Sequence, residues 1–210
     1  LIAPKVVLTA GHCVDGFKTW EVHVGGATRL ATGAIVYDYL GNGDTVNPRQ
    51  HDLGLVFLGE PISLANYPTL AQTALPNSSK VVNVGRVQDG VVKNALYQAD
   101  TTVTSALFIG YPYDYQSVTV IQPGDSGGPV FEANTHKVVA INSGAGSNIQ
   151  ILARVDLLYS WIQEQITAHG GLPTTPDAGV SSPADSGKSS PADGGVSVPA
   201  DGGVSGPADS

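Results

Sequence analysis

Ser126 lies in the run Gly124-Asp125-Ser126-Gly127-Gly128-Pro129, where the flanking glycines let the backbone turn sharply and leave the hydroxyl exposed. In such a turn the N–H groups of Gly124 and Ser126 are free to converge on one point, which is how an oxyanion hole is built. A serine hydroxyl is a weak nucleophile at neutral pH, so it needs a base within hydrogen-bond reach and a buried acid to orient that base. His12 follows the apolar run Val6-Val7-Leu8-Thr9-Ala10-Gly11, and Asp52 stands at the mouth of Leu53-Gly54-Leu55-Val56-Phe57-Leu58, a place that buries its carboxylate. Taken singly, each has an ordinary structural explanation: a Gly-rich turn with an exposed serine, a structural histidine, a turn or cap aspartate. Their joint presence points to nucleophilic catalysis.

The elements that must position these groups read as strands. With 26 Gly and 14 Pro in 210 residues and only 13% charged residues, the chain favours many short strands joined by turns. Short hydrophobic, partly β-branched runs bounded by Gly, Pro, Asn or Asp occur at 5–9, 21–24, 53–58, 81–84, 101–104, 138–141 and 149–155, the pattern of an antiparallel sandwich or barrel. Val155, Leu158, Tyr159, Ile162 and Ile166 instead recur at helical spacing, predicting an amphipathic helix with Asp156 as N-cap and Gly170 as stop. Residues 1–171 form the expected folded domain. Residues 172–210 repeat Pro-Ala-Asp with a period of eight, and their valines are too few to offset the entropy of ordering, so a disordered acidic linker is expected.

Together the three segments resemble the trypsin-like (chymotrypsin-fold) serine peptidase family. Thr9-Ala10-Gly11-His12-Cys13 is similar to that family's Thr-Ala-Ala-His-Cys, Asp52 stands in a stretch similar to its Asp-Ile-Ala-Leu, and Gly124 to Pro129 match its Gly-Asp-Ser-Gly-Gly-Pro without change. The order His, Asp, Ser is also the family's own. The resemblance extends across nearly all of residues 1–169, with Val139-Ala140-Ile141-Asn142-Ser143-Gly144 similar to the substrate-pairing strand and Ser160-Trp161-Ile162 to the closing helix. It implies an all-β fold of two six-stranded antiparallel barrels, lacking the first strand, with a C-terminal helix.

By the same resemblance His12 is the general base and acid, Asp52 orients it, Ser126 is the nucleophile, and the Gly124 and Ser126 N–H groups form the oxyanion hole, each donor contributing about 3 to 4 kcal/mol. The substrate is a polypeptide. Asp125 would pair with an N-terminal amine freed by zymogen cleavage, and Cys13 with a cysteine just upstream of Leu1. The opening Leu1-Ile2-Ala3-Pro4, without Met, implies that an upstream part precedes it. Substrate-pocket candidates are Val120, Asn142, Ser143, Gly144 and Gln150. The wall 117–123 contains no acid, and Gln150 stands where the family has a pocket-lining Gly, so a small or apolar P1 residue is expected rather than Arg or Lys. Either Asn142 or Ser143 takes the family's role of contacting both the acid and the substrate.

Several classes are disfavoured. The net charge of −8 arises without any basic cluster, the opposite of a nucleic-acid footprint. No apolar run approaches the roughly 20 residues of a bilayer span, and no segment resembles a signal peptide. His12, His23, His51, His136 and His169 include no pair at ligand spacing with a supporting acid, so no metal site and no cofactor are expected. The competing reading is a catalytically silent binding module on a flexible stalk, but silent relatives usually lose a triad residue and none is lost here. A secreted or cell-surface location fits the family.

Overall fold

A computed structural model describes residues 1–41, 46–146 and 148–170. The boundary at 171 and the expected linker at 172–210 lie outside the described residues. The described residues form ten strands and one α-helix: β1 Val6–Thr9, β2 Glu21–Val24, β3 Ala27–Val36, β4 Gly54–Leu58, β5 Ser79–Gln88, β6 Val91–Ser105, β7 Asp114–Val118, β8 Pro129–Glu132, β9 Val138–Ala145, β10 Ile149–Arg154 and α1 Tyr159–His169. Pairing between strands is antiparallel throughout.

The two expected six-stranded barrels are half right. The second is a closed barrel in the order β10-β7-β6-β5-β8-β9, whereas the first is a four-stranded sheet, β1-β4-β3-β2. β4 lies inside that sheet, paired to β1 and β3, and every residue of Gly54–Leu58 is buried. This explains its unbroken apolar run, since a strand covered on both faces has no reason to alternate.

The described residues build two apolar cores. One joins Val6, Leu8, Leu53, Leu55 and Phe57 of the first sheet to Leu158, Ile162 and Ile166 at the helix; the other fills the barrel with Val81, Val103, Tyr115, Val130 and Leu152. β9 serves both, with Val138 and Ile141 in the first and Val139 and Ala140 in the second. The strand that carries Ser143 is therefore held from two sides.

Asp156 is not an N-cap. It opens a 3-10 turn, Asp156–Leu158, and its carboxylate takes a two-point bond from the Arg154 guanidinium, at 3.0 and 2.6 Å; the cap position is Leu158, with no side-chain bond. A two-point, charge-assisted bond from arginine is stronger than a bond from a neutral backbone N–H at a helix start. Gly170 does close α1, its N–H donating to Ile166 O at 2.7 Å, and its carbonyl accepts the Lys5 N–H at 3.0 Å, tying the helix end to the first sheet. His169 stacks on Phe57 at 4.3 Å between ring centroids.

Three strands carry no run at the sequence level. β3 alternates small and polar residues, Ala-Thr-Arg-Leu-Ala-Thr-Gly-Ala, and six of its ten positions hold Ala, Thr or Gly. β7 is Asp-Tyr-Gln-Ser-Val, and β8 has four residues beginning with proline.

Candidate active site

His12 lies in the 3-10 turn Gly11–Cys13 that ends β1, and Asp52 lies two residues before β4, the partner of β1. The β1–β4 register, with Thr9 opposite Gly54, brings the two segments side by side. Asp52 Oδ1 accepts the His12 backbone N–H at 2.8 Å, and Oδ2 meets the ring Nδ1 at 2.7 Å. Two contacts to one residue fix both its backbone and its ring. The aspartate is 1% exposed, and His12 is 31% exposed on its cavity side.

Asp52 gains a third partner from the other half of the molecule, for the Ser143 hydroxyl in β9 donates to Oδ2. Ser143 rather than Asn142 thus contacts the acid. Asn142 has another job: its Nδ2 donates to Asp125 O at 3.1 Å and to Val84 O at 3.3 Å, while its backbone exchanges bonds with Gly127 and Gly128 at 2.9 Å each. It braces the Ser126 turn from behind. The Asp52 hydrogen bond holds the His12 pKa well above that of a free imidazole, up to about 10, with the Cys13 thiol next in effect and burial opposing. The cause is that the imidazolium sits against a buried carboxylate.

The turn before β8 carries Gly124 at φ +104° and Gly127 at φ +80°, left-handed values that explain the glycines on either side of Ser126. A Cβ on Gly127 would run into the Thr9 hydroxyl, so this turn packs directly on the strand that delivers His12. Asp125 is 5% exposed. Its Oδ1 accepts the N–H groups of Arg86 and Val87 at 2.7 and 2.9 Å, and Oδ2 that of Gln122 at 3.0 Å. The Gly124 and Ser126 N–H groups donate to no protein acceptor among the described residues, as an oxyanion hole requires.

Ser126 and His12 meet at one cavity of about 490 Å³, whose wall also includes Tyr39, Val46, Gln122, Ser143 and Gly144. Among the described residues no hydrogen bond joins the Ser126 hydroxyl to the His12 ring, and such bonds are commonly long in ligand-free sites. No carboxylate, lysine or arginine lines the cavity among the described residues. Of the pocket candidates, Ser143 and Gly144 face it. Asn142 and Gln150 are fully buried behind its wall, and the half-buried Val120 is tied to Gln150: the glutamine Oε1 accepts the N–H groups of Val120 and Ile121 at 2.8 and 3.2 Å.

Tyr39 and Val46 were not legible as site residues. They fall in a stretch without periodicity or motif, and only its position between the His12 and Asp52 segments pointed there. Asp114 is not among the residues lining the cavity. It is 1% exposed in β7, and neither carboxyl oxygen has a partner among the described residues. Burial pushes its pKa up to about 8, the Asp52 charge adds to the rise, and the Arg154 guanidinium opposes it. Cys13 is a half-buried free thiol among the described residues.

The profile of the Trypsin family matches residues 1–162. Proproteinase E of Bos taurus is 27% identical over 212 residues, covering 80% of this chain and 83% of that protein. Among solved structures, neuropsin, a serine protease expressed in the limbic system of mouse brain, superposes with a TM-score of 0.65 at 18% identity, over 79% of this chain and 86% of its own. A mutant of human heparin binding protein does so with a TM-score of 0.62 at 16% identity, over 80% and 84%. The Vibrio cholerae VesB protease gives 0.63 at 20% identity, over 78% of this chain and 56% of its own.

Proposed function

The chain belongs to the trypsin family, and from that premise we propose that it is a serine endopeptidase that cleaves peptide bonds through an acyl-enzyme on Ser126. The observation that carries this reading is the two-point grip of buried Asp52 on His12, on the wall of the cavity that also exposes Ser126.

In the proposed reaction the neutral His12 ring takes the hydroxyl proton as Ser126 Oγ attacks the carbonyl carbon. Asp52, bonded to Nδ1, leaves Nε2 as the accepting atom and stabilises the imidazolium that forms. Negative charge moves to the carbonyl oxygen, where the Gly124 and Ser126 N–H groups receive it. His12 then gives its proton to the departing amine and the acyl-enzyme remains. Water, deprotonated by His12, attacks the ester carbon and restores Ser126.

The substrate is a polypeptide with a small or apolar P1 side chain, in keeping with a cavity lined among the described residues by no carboxylate, lysine or arginine and with the buried Gln150 bonded to the backbone of Val120 and Ile121. Asp125 is the proposed partner of an N-terminal amine released on activation; its carboxylate already holds three backbone N–H groups and has room for one more donor. Secretion or display at the cell surface suits such an enzyme, and among the described residues no helix is long and apolar enough to cross a membrane.

Reaction of the full-length activated protein with a fluorophosphonate probe tests the proposal. One equivalent of label that disappears in Ser126→Ala is expected. Labelling that survives the substitution removes Ser126 as nucleophile, and absence of labelling in the folded, activated protein removes the enzyme reading.

A further inference from the structure

A second histidine–carboxylate pair stands beside the first. The His51 backbone N–H donates to Asp38 Oδ1 at 2.9 Å, and its ring Nδ1 meets Asp38 Oδ2 at 2.9 Å, the same two-point grip that Asp52 has on His12. The His51 ring is stacked on Tyr113 at 4.1 Å and meets Tyr37 edge-on at 5.4 Å. Tyr37 in turn lies edge-on to Trp161 of α1 at 5.6 Å. The histidine side chain is only 13% exposed. The connection after β3 and the residues before β7 therefore hold the His51 ring, and the helix backs it through Tyr37.

His51 immediately precedes Asp52. Its carbonyl accepts the Leu53 N–H at 2.8 Å, which closes a three-residue turn with Asp52 at the apex. In so tight a turn the direction of the central side chain follows from the orientation of its neighbours. The residue after Asp38 reaches the other half of the pair. Tyr39 is 1% exposed, and a Cβ on Gly11 would stand 2.9 Å from its Cβ and Cγ and 3.0 Å from Leu53 N. Residues 38 and 39 thus abut the two residues that precede Asp52 and His12. The glycine at position 11 follows from this contact.

We propose that residues 37–39 form a brace that sets the placement of Asp52 against His12, with Asp38 as a positioning residue that acts through His51. The catalytic consequence rests on the proposed peptidase function; the geometric one does not. Asp38 is 36% exposed, and a polar contact with so exposed a partner contributes little to global stability. Its effect is on where Asp52 points, and a misplacement of this kind lowers turnover by about 10- to 100-fold.

The test uses full-length Asp38→Ala, Asp38→Asn and His51→Phe. The expected result for Asp38→Ala is a turnover lower by about tenfold or more with KM and melting temperature near wild type, and a shifted or broadened low-field proton resonance of the His12–Asp52 hydrogen bond. Asp38→Asn keeps an acceptor for the His51 N–H and recovers most of the rate. His51→Phe keeps the ring stacking but loses the Nδ1 bond, so it shows the intermediate effect even where the alanine variant folds poorly. An unchanged resonance in Asp38→Ala overturns the proposal, as does an equal loss of rate and melting temperature in the alanine and asparagine variants. The resonance needs no turnover, so it decides the brace even where the probe leaves Ser126 unlabelled and the peptidase reading has failed.

Discussion

The Ser143 hydroxyl donates to Asp52 Oδ2 across 91 positions of sequence, linking a strand of the barrel to the residue that orients His12 in the other sheet. With the His12 ring on the same carboxylate, this bond makes Asp52 the point at which the two halves of the site are joined.

Asp52→Asn should lower the plateau labelling rate of Ser126, reached where His12 is neutral, by about 10⁴-fold, because an amide no longer holds the tautomer that leaves Nε2 free. The pH dependence has a definite sign. Asp52 raises the His12 pKa, so the base is charged and idle at low pH, and wild-type labelling rises with pH as that proton is lost. Without the carboxylate the rise moves to lower pH. The stability that the pair supplies is fully present below the unfolded histidine pKa of about 6.5 and fades as pH climbs through the raised folded value. Rate and melting profiles from pH 5 to 10 check both signs; a labelling midpoint unmoved in the variant would refute the assignment.

Asp114→Asn should stabilise the protein at alkaline pH. The folded state holds a proton on Asp114 up to about pH 8, whereas the unfolded chain releases it near 3.8, so wild-type stability declines across that interval because the unfolded chain ionises a carboxyl that the fold keeps protonated. The asparagine does not ionise. The difference in melting temperature between variant and wild type should widen from pH 5 to pH 9, and an equal difference at both would mean that Asp114 ionises freely in the fold.

Gln150→Gly should enlarge the space behind Val120 and Ile121 and release their N–H groups. The ratio of kcat/KM for P1 Leu or Phe over P1 Ala peptides should rise by about tenfold or more, the discrimination available from a hydrophobic pocket. Initial rates on three matched chromogenic peptides provide the measurement. A constant ratio would place the P1 contact elsewhere.

Gly127→Ala should cost about 1 to 3 kcal/mol, since alanine is strained at φ +80°. The added methyl also meets the Thr9 hydroxyl and comes within 3.2 Å of Ala10 N, so the Ser126 turn and the His12 strand must part. Urea unfolding reads the first effect and probe labelling the second. Loss of stability without loss of labelling would show that the turn can shift without disturbing Ser126 and His12.

Legibility in the sequence followed burial and periodicity. The segments around β1, β2, β4, β9 and β10 were visible because they carry compact apolar runs, while β3 is mostly Ala, Thr and Gly before Ile35, β7 sets Tyr115 among polar residues, and β8 offers only Val130 and Phe131 between a proline and a glutamate, apolar stretches too short to stand out. The Asp156 cap failed because a nearby arginine was the stronger partner.

His12, Asp52 and Ser126 could be proposed from residue type, order and likeness to the family's motifs, since glycines at a tight turn and polar residues at the ends of apolar strands are local signals. The choice between Asn142 and Ser143 could not. Alternate residues of a strand point to opposite faces, and which face meets Asp52 depends on how β9 sits against the other sheet. The same holds for Asp38, Tyr39 and Gln150, whose places come from long-range packing. Sequence determined which groups the chain has for the chemistry; tertiary structure decided which of them touch, because contact depends on the register and facing of strands far apart in the chain.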